Sequence, residues 1–192
     1  MDHRRFLAAI ALAFGATVAA SAVAGPVASE VGPNLVTNGG FETGDFSGWT
    51  ASVDPTYSGV DHVAAHSGNW GAFFGDAGTP GSISQSIATV AGASYDIQLW
   101  LRSDGATPNS FAVLWGGTTV FSVADVVSPA YTEILIDPLA TSGLTTLELR
   151  ARNDNGFLEA DDISVHAVPE PAPVVLFAGG LLVVVAARRR KA

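Results

Sequence analysis

Ser94-Tyr-Asp-Ile-Gln-Leu-Trp-Leu-Arg102 is the most regular stretch of the chain, because apolar and polar side chains alternate through it. A period of two residues predicts a β-strand with one buried and one outward face. The sequence leaves open which face is buried. One face carries Tyr95, Ile97, Leu99 and Leu101, and the other carries Asp96, Gln98, Trp100 and Arg102.

Similar short runs follow, separated by turn residues. Residues 110–115 and 118–123 flank Gly116-Gly117, a pattern typical of a β-hairpin. Further strands are predicted at 131–136, 145–151, 157–159 and 162–166. Since no long stretch between residues 27 and 168 has apolar residues at helical spacing, the pattern predicts an all-β, antiparallel β-sandwich.

Composition limits the function classes. The 192 residues suit one domain and contain no cysteine, which excludes disulfides and cysteine nucleophiles from the chain. Residues 25–167 carry 16 acidic residues and three arginines, a net charge of −13. We therefore expect no nucleic-acid partner, since phosphate neutralisation requires a basic surface.

The N-terminal residues predict a secretory signal peptide over residues 1–24. Arg4 and Arg5 precede an apolar stretch at 6–20, and small residues at 20–24 offer cleavage sites. The mature chain would begin at Val23 or Gly25. A retained membrane anchor is the alternative interpretation.

The C-terminal residues 168–192 predict a membrane anchor. Pro169-Glu170-Pro171 precedes 16 residues without charge at 172–187, and a basic cluster follows: Arg188, Arg189, Arg190 and Lys191. A helix of that length spans about 24 Å, and basic side chains can extend its reach to the membrane interface. By the positive-inside rule, the main domain then faces outward.

This order of three parts resembles the PEP-CTERM sorting signal. The resemblance implies a Gram-negative producer of exopolysaccharide and a membrane exosortase as partner. It also implies that the chain is anchored in the inner membrane through the C-terminal transmembrane helix before processing, and then reaches the cell surface or the extracellular matrix. A simple C-terminal anchor is the alternative.

A second resemblance covers residues 34–165. Asn34-Leu-Val-Thr-Asn-Gly-Gly-Phe-Glu-Thr-Gly-Asp-Phe-Ser-Gly-Trp49 resembles the opening strand of jelly-roll carbohydrate-binding modules with a galactose-binding-like fold. Residues 65–74 and 157–165 are similar to the second and last strands of those modules. The resemblance implies a jelly-roll sandwich domain over residues 25–167.

The same resemblance implies a structural calcium ion. Its ligands would be the Gly40 carbonyl, the Glu42 carboxylate, a second carboxylate from Asp161 or Asp162, and a carbonyl near Gly68. Hard oxygen ligands of this kind suit Ca²⁺. The alternative is that these acids are solvated residues of turns and strand ends.

The face that carries Gln98, Trp100 and Arg102 is a candidate sugar-binding surface. Sugars are recognised by aromatic planes and by polar groups that pair with hydroxyls. The alternative is that this face packs against a loop or a second sheet. The other three tryptophans, Trp49, Trp70 and Trp115, are assigned mainly to packing.

No catalytic motif stands out, and we expect a protein that is not an enzyme. Neither a nucleophile elbow nor a zinc-binding helix motif occurs in the sequence. Three scattered histidines, His62, His66 and His166, are interpreted as structural or exposed. Asn153-Asp-Asn-Gly156 is predicted to form a tight turn.

Three hypotheses remain at this stage. The leading one is an exported surface protein whose sandwich binds carbohydrate, with exopolysaccharide as partner. The second is a structural matrix protein without a discrete ligand. The third is a polysaccharide hydrolase, which would need two carboxylates about 5–10 Å apart in a cleft.

Overall fold

The computed structural model describes residues 32–169, which form ten β-strands. The strands are β1 (Thr50–Ser52), β2 (Ser58–Asp61), β3 (Gly71–Phe74), β4 (Gly81–Ala88), β5 (Tyr95–Ser103), β6 (Asn109–Trp115), β7 (Thr118–Ala124), β8 (Thr132–Ile136), β9 (Leu144–Asn153) and β10 (Leu158–Ala167). No helix of these residues is long and apolar enough to cross a membrane. The predicted signal peptide and the apolar segment 172–187 lie outside the described residues.

The strands form two five-stranded sheets, ordered β1-β4-β9-β6-β7 and β2-β3-β10-β5-β8. Every pairing in both sheets is antiparallel. The prediction of an all-β antiparallel sandwich is therefore confirmed for the described part of the chain. Apolar side chains from both sheets fill the space between them.

Strand β5 settles which face of the 94–102 stretch is buried. Ile97 and Leu99 are fully buried, and Tyr95 and Leu101 are nearly so. Trp100 and Arg102 therefore point away from the core. Burial of the four apolar side chains is the main stabilising contribution of this strand, at about 1.5–3 kcal/mol for each large one.

The hairpin at Gly116-Gly117 is confirmed, since β6 and β7 pair directly around it. Both glycines have positive φ, 58° and 81°, as a two-residue turn between twisted strands requires.

One strand prediction is wrong, and another is correct only in part. Residues 34–49 form successive turns rather than an opening strand, and the first strand begins at Thr50. Asn38 and Phe41 have positive φ there, which a regular strand does not accommodate. In the 65–74 segment only Gly71–Phe74 is strand.

The predicted strands at 157–159 and 162–166 are parts of one strand, β10. Its register against β5 shifts between Asp161 and Ser164, which is a β-bulge. Asp162 has a φ of 51° in this bulge. The polar Asp-Asp pair thus marks an irregularity within the strand rather than its end.

The sandwich has two distinct ends. At the end called here the exit end, residue 168 leaves β10 beside the loops 89–94, 116–117 and 137–143. At the opposite end, called the far end, lie the loops 53–57, 75–80, 104–108, 125–131 and 154–157. The strand registers show which loops share an end. Tyr95 pairs with Ala167 at the exit end, and Ser103 pairs with Leu158 at the far end.

Candidate functional site

The three residues of the predicted sugar-binding face lie together on the outer face of β5. Gln98 donates from Nε2 to Glu133 Oε1 on the neighbouring β8 at 2.5 Å. Trp100 and Arg102 follow at the spacing of one strand face and are partly exposed. The structure therefore brings these three residues onto one surface.

That surface is covered by the β2–β3 loop, residues 62–70. The His66 ring stacks on the Trp100 indole, with centroids 4.1 Å apart and planes 16° apart. Tyr131 approaches the same His66 ring edge-on at 4.9 Å. One plane of the indole is thus occupied by a side chain of the protein, as in the alternative that this face packs against a loop.

Arg102 fastens the β2–β3 loop to the sheet. Its guanidinium forms an ion pair with Glu159 and donates from Nη2 to the Val63 carbonyl at 2.6 Å. It also lies over the Tyr131 ring, 4.8 Å from the centroid. The Tyr131 hydroxyl in turn donates to the Ala64 carbonyl at 2.6 Å.

Burial raises the pKa values of two residues in this network, Tyr131 and Glu159. It raises the pKa of the Tyr131 phenol, so the hydroxyl stays a donor. Burial also raises the pKa of Glu159, and the bond from Arg102 opposes that rise. Loss of Arg102 would therefore leave the partly buried Glu159 carboxylate without the partner that stabilises its charge.

The predicted calcium ligands also converge. A Cβ placed on Gly40 would lie 3.7 Å from Asp162 Oδ1, 3.8 Å from Asp161 Oδ1 and 3.9 Å from Glu42 Cγ. The carboxylates of Asp161 and Asp162 thus lie beside the Gly40 main chain, whereas the Glu42 carboxylate is directed at Gly68 and the β2–β3 loop.

Each of these carboxylates holds the β2–β3 loop through hydrogen bonds. Glu42 Oε1 accepts from the main-chain N–H of Asn69 at 2.8 Å and of Trp70 at 3.0 Å. These bonds lower the pKa of Glu42, the one from Asn69 most. Gly68 is needed for this approach, since a Cβ there would lie 2.2 Å from Glu42 Oε1.

The two aspartates bind the first half of the same loop. Asp161 Oδ2 accepts from the main-chain N–H of His66 at 2.7 Å and of Ser67 at 3.1 Å. Asp162 accepts from the Ser67 hydroxyl and pairs with His66 Nδ1, each at 2.7 Å. Burial raises the pKa of Asp161 to about 6, because the surrounding donors do not fully offset desolvation.

The oxygen atoms of these residues are of the kind that binds Ca²⁺. Their side chains alone do not form a complete site. Within residues 32–169, no group of three or more His, Asp or Glu side chains is arranged to hold a metal ion. A bound ion would therefore need main-chain carbonyls, such as those of Gly40 and Gly68, in addition to carboxylates.

A pocket at the far end was missed by sequence reasoning. We call it the aromatic pocket; its volume is 380 Å³, and it is lined by Tyr57, Gly75, Ala77, Asn153, Asp154, Asn155, Gly156 and Phe157. Tyr57 is 52% exposed and Phe157 40% exposed, so both rings have surface available to a ligand.

The pocket walls are fixed by their neighbours. The Phe157 ring packs on Gly75, where a Cβ would lie 2.8 Å from the ring, and it meets Phe73 edge-on at 5.7 Å. Asp104 accepts from the Phe157 N–H at 2.9 Å. Asp154 is held by Arg152 and by the Gly78 N–H at 2.8 Å.

The sequence contained only a partial signal of this pocket. Residues 153–156 were predicted to be a tight turn, and the structure has bends at 154–156. Nothing local in the sequence shows that Tyr57, a hundred residues away, lies beside that turn. Of the predicted sorting signal, only Pro169 is among the described residues; Glu170, Pro171 and Arg188–Arg190 lie outside them.

Comparisons with known proteins place the fold. No protein-family model and no curated protein matches the chain. Among solved structures, TmCBM61 in complex with β-1,4-galactotriose is 23% identical, with a TM-score of 0.57 over 69% of this chain and 97% of that chain.

Two other solved structures agree. Family 16 Carbohydrate Binding Module-2 is 20% identical, with a TM-score of 0.53 over 69% of this chain and 99% of that one. The CBM22-1 xylan-binding domain from Paenibacillus barcinonensis Xyn10C is 16% identical, with a TM-score of 0.54 over 75% and 100%. The described part of the chain thus has the jelly-roll fold of carbohydrate-binding modules.

Proposed function

We propose that this protein is an exported surface or matrix protein whose sandwich binds carbohydrate without catalysis. The observation that carries the proposal is the aromatic pocket, on a fold shared with a module solved with β-1,4-galactotriose and with a xylan-binding domain. Because fold alone does not fix function, the pocket has to supply the chemistry.

The pocket offers the groups that sugar recognition uses. The Tyr57 and Phe157 rings supply apolar planes for the C–H faces of a pyranose. The Asn155 side chain is exposed at the rim, and the Asp154 carboxylate lies beside it. A volume of 380 Å³ falls at the lower end of the range for small-molecule sites and suits one or two sugar rings.

Charge narrows the class of glycan. The far-end loops carry five aspartates and no lysine or arginine: Asp54, Asp76, Asp104, Asp125 and Asp154. Repulsion at this end disfavours polymers of uronic acids. The proposed ligand is therefore a neutral oligosaccharide or a neutral exopolysaccharide.

A binding measurement tests the proposal. The full chain in detergent micelles is titrated with β-1,4-galactotriose, xylohexaose and polygalacturonate. We expect binding of a neutral sugar and none of polygalacturonate. Phe157→Ala should weaken binding at least 10-fold, or about 1.4 kcal/mol, whereas Val127→Ala, a far-end control at an exposed position outside the pocket, should not.

Other outcomes redirect the proposal. Loss of binding in Trp100→Ala, with Phe157→Ala unaffected, would place the site on the sequence-predicted face of Gln98, Trp100 and Arg102. Absence of binding to every neutral probe would contradict carbohydrate recognition and favour a structural matrix protein. Release of new reducing ends from a bound polymer would contradict binding without catalysis.

Export and sorting complete the proposal. The signal peptide 1–24 carries the chain across the inner membrane, and residues 172–187 hold it there until an exosortase acts at the PEP-CTERM signal. Replacement of Pro169-Glu170-Pro171 by alanines should leave unprocessed protein in the inner membrane of an exosortase-containing host. Normal processing of that variant, with Val168→Ala as control, would contradict a sorting signal.

We also propose a structural calcium ion at Gly40, Glu42, Asp161 and Asp162. The adjacent carboxylates of Asp161 and Asp162 beside Gly40, in a strongly acidic domain, favour a divalent cation. The raised pKa of Asp161 supports this interpretation, since it reports an acid whose charge is incompletely stabilised by its protein neighbours. The ion would join the 34–49 turns to β10.

A further inference from the structure

The exit end of the sandwich presents an aliphatic surface. Val90, Leu139 and Leu144 are 67%, 59% and 62% exposed, and they belong to adjoining loops and the start of β9. We call these three residues the aliphatic patch. Asp137 is the only charged residue in the loops 89–94, 116–117 and 137–143.

Hydrogen bonds fix the loops that carry the aliphatic patch. Thr89 donates from its main-chain N–H to Gly143 at 3.1 Å, and Gly92 donates to Ala140 at 2.7 Å. The Trp115 indole donates to the Leu139 carbonyl at 3.2 Å. These hydrogen bonds fix the loop backbone that displays the three aliphatic side chains to the outside.

The chain leaves the sandwich beside this patch. Val168 donates from its N–H to the Ser94 carbonyl at 3.0 Å, and Ser94 forms an isolated bridge with Leu139. Residue 172, the first of the 16 uncharged residues, follows Pro169 by three positions in the sequence.

The opposite end is acidic, with its five loop aspartates, and its exposed apolar residues are Tyr57, Val127 and Phe157. The strands between the two ends are up to ten residues long, so about 30 Å separates the charged end from the aliphatic one. Such a molecule favours one orientation at a lipid surface: aliphatic side chains toward the acyl chains and acidic loops in water.

We propose that the exit end rests on the lipid bilayer that residues 172–187 enter, with the aliphatic patch in the interfacial layer. This inference depends on the membrane anchor proposed above. It makes the sandwich a domain of fixed orientation, and it directs the aromatic pocket away from the membrane toward extracellular glycan.

Site-specific labels test this orientation. The chain has no cysteine, so single cysteines carry an environment-sensitive fluorophore uniquely. The full chain is reconstituted in vesicles of phosphatidylcholine and phosphatidylglycerol, 4:1, that contain a lipid-attached quencher. We expect labels at Val90→Cys and Leu139→Cys to be quenched at least threefold more than one at Val127→Cys, a far-end control that is 64% exposed.

Each other outcome has a defined meaning. Equal quenching at all three positions, with the chain floating with the vesicles, would overturn the orientation and leave the anchor intact. Failure of the chain to float would overturn the anchor and this inference together, without bearing on sugar binding. Shielding of Leu139→Cys from both the water-soluble and the lipid-attached quencher would identify a second protein copy as the occupant and overturn lipid contact.

Discussion

Gly68 shows how a single missing side chain lets an acid reach its partners. It has a φ of 64°, and its open Cα side admits the Glu42 carboxylate to the Asn69 and Trp70 N–H groups. The sequence predicted Glu42 and a carbonyl near Gly68 as neighbours through a family resemblance. It could not reveal that the carboxylate organises the loop itself.

Gly68→Ala should therefore destabilise the fold more than Gly78→Ala does. Both positions have positive φ, with a cost of about 1–2 kcal/mol for alanine. Only Gly68 adds a clash, since a Cβ at Gly78 meets nothing within 4 Å. We expect an additional loss of about 1–3 kcal/mol in urea unfolding; equal losses for the two variants would contradict the role of Gly68.

Trp100 illustrates what residue patterns cannot specify. Alternation in 94–102 correctly put it on the same face as Gln98 and Arg102. Its cover, His66, comes from a loop 34 residues earlier in the chain, and no local period encodes that contact. Exposed aromatic residues such as Tyr57 and Phe157 were missed for the same reason.

At the scale of the elements, the path of the β2–β3 loop is set by tertiary contacts and not by a local sequence pattern. It contains no strand, yet Arg102, Tyr131, Glu42 and the aspartates of β10 all bind it. Strands were predictable because their period is local, whereas the loop's path depends on partners up to 96 residues away. The β10 bulge was missed because residues 157–159 and 162–166 were predicted as separate strands, whereas they belong to one strand.

Arg102→Ala should loosen this loop. It removes the ion pair to Glu159, whose side chain is only 14% exposed, and the bond to Val63. We expect a loss of about 2–3 kcal/mol in unfolding free energy, as for a partly buried charge left without its partner. Arg150→Ala is the control: Arg150 is 51% exposed and pairs with Glu148 on the surface, so its loss should stay within about 0.5 kcal/mol.

Calcium should raise the melting temperature of the full chain. An ion that binds only the native state stabilises it by about 2.7 kcal/mol at 100 times its Kd. Glu42→Gln should abolish the calcium-dependent increase, and Asp96→Asn, which changes an exposed acid on β5, should preserve it. No increase in the unmodified chain, or an increase that survives in Glu42→Gln, would remove the ion from the account.

The calcium effect should also depend on pH. Burial raises the pKa of Asp161 to about 6, above its ordinary value, so the folded state holds this proton more tightly than the unfolded chain does. Below pH 6 the proton competes with the metal for Asp161. The calcium-dependent increase in melting temperature should therefore be smaller at pH 5 than at pH 7.5, and an equal increase would exclude Asp161 as a ligand.

At the scale of the whole molecule, the loop aspartates are concentrated at one end of the strand direction and the aliphatic patch lies at the other. The sequence predicted the sandwich and the acidic balance, but the separation of the two ends appears only once the topology assigns each loop to an end. Five of the aspartates then gather at the far end and the aliphatic patch at the exit end. The end of the sandwich that leads to the proposed membrane anchor is therefore opposite the end that carries the proposed glycan site.

The most direct test of carbohydrate binding at the far end is to locate the ligand on the protein. Amide and indole NMR signals of the full chain are followed during titration with β-1,4-galactotriose and xylohexaose. The account predicts that one of these sugars shifts the signals of Tyr57, Asn155 and Phe157 and leaves the Trp100 indole unchanged. Shifts confined to Trp100 and His66, or no shift with either sugar, would contradict it.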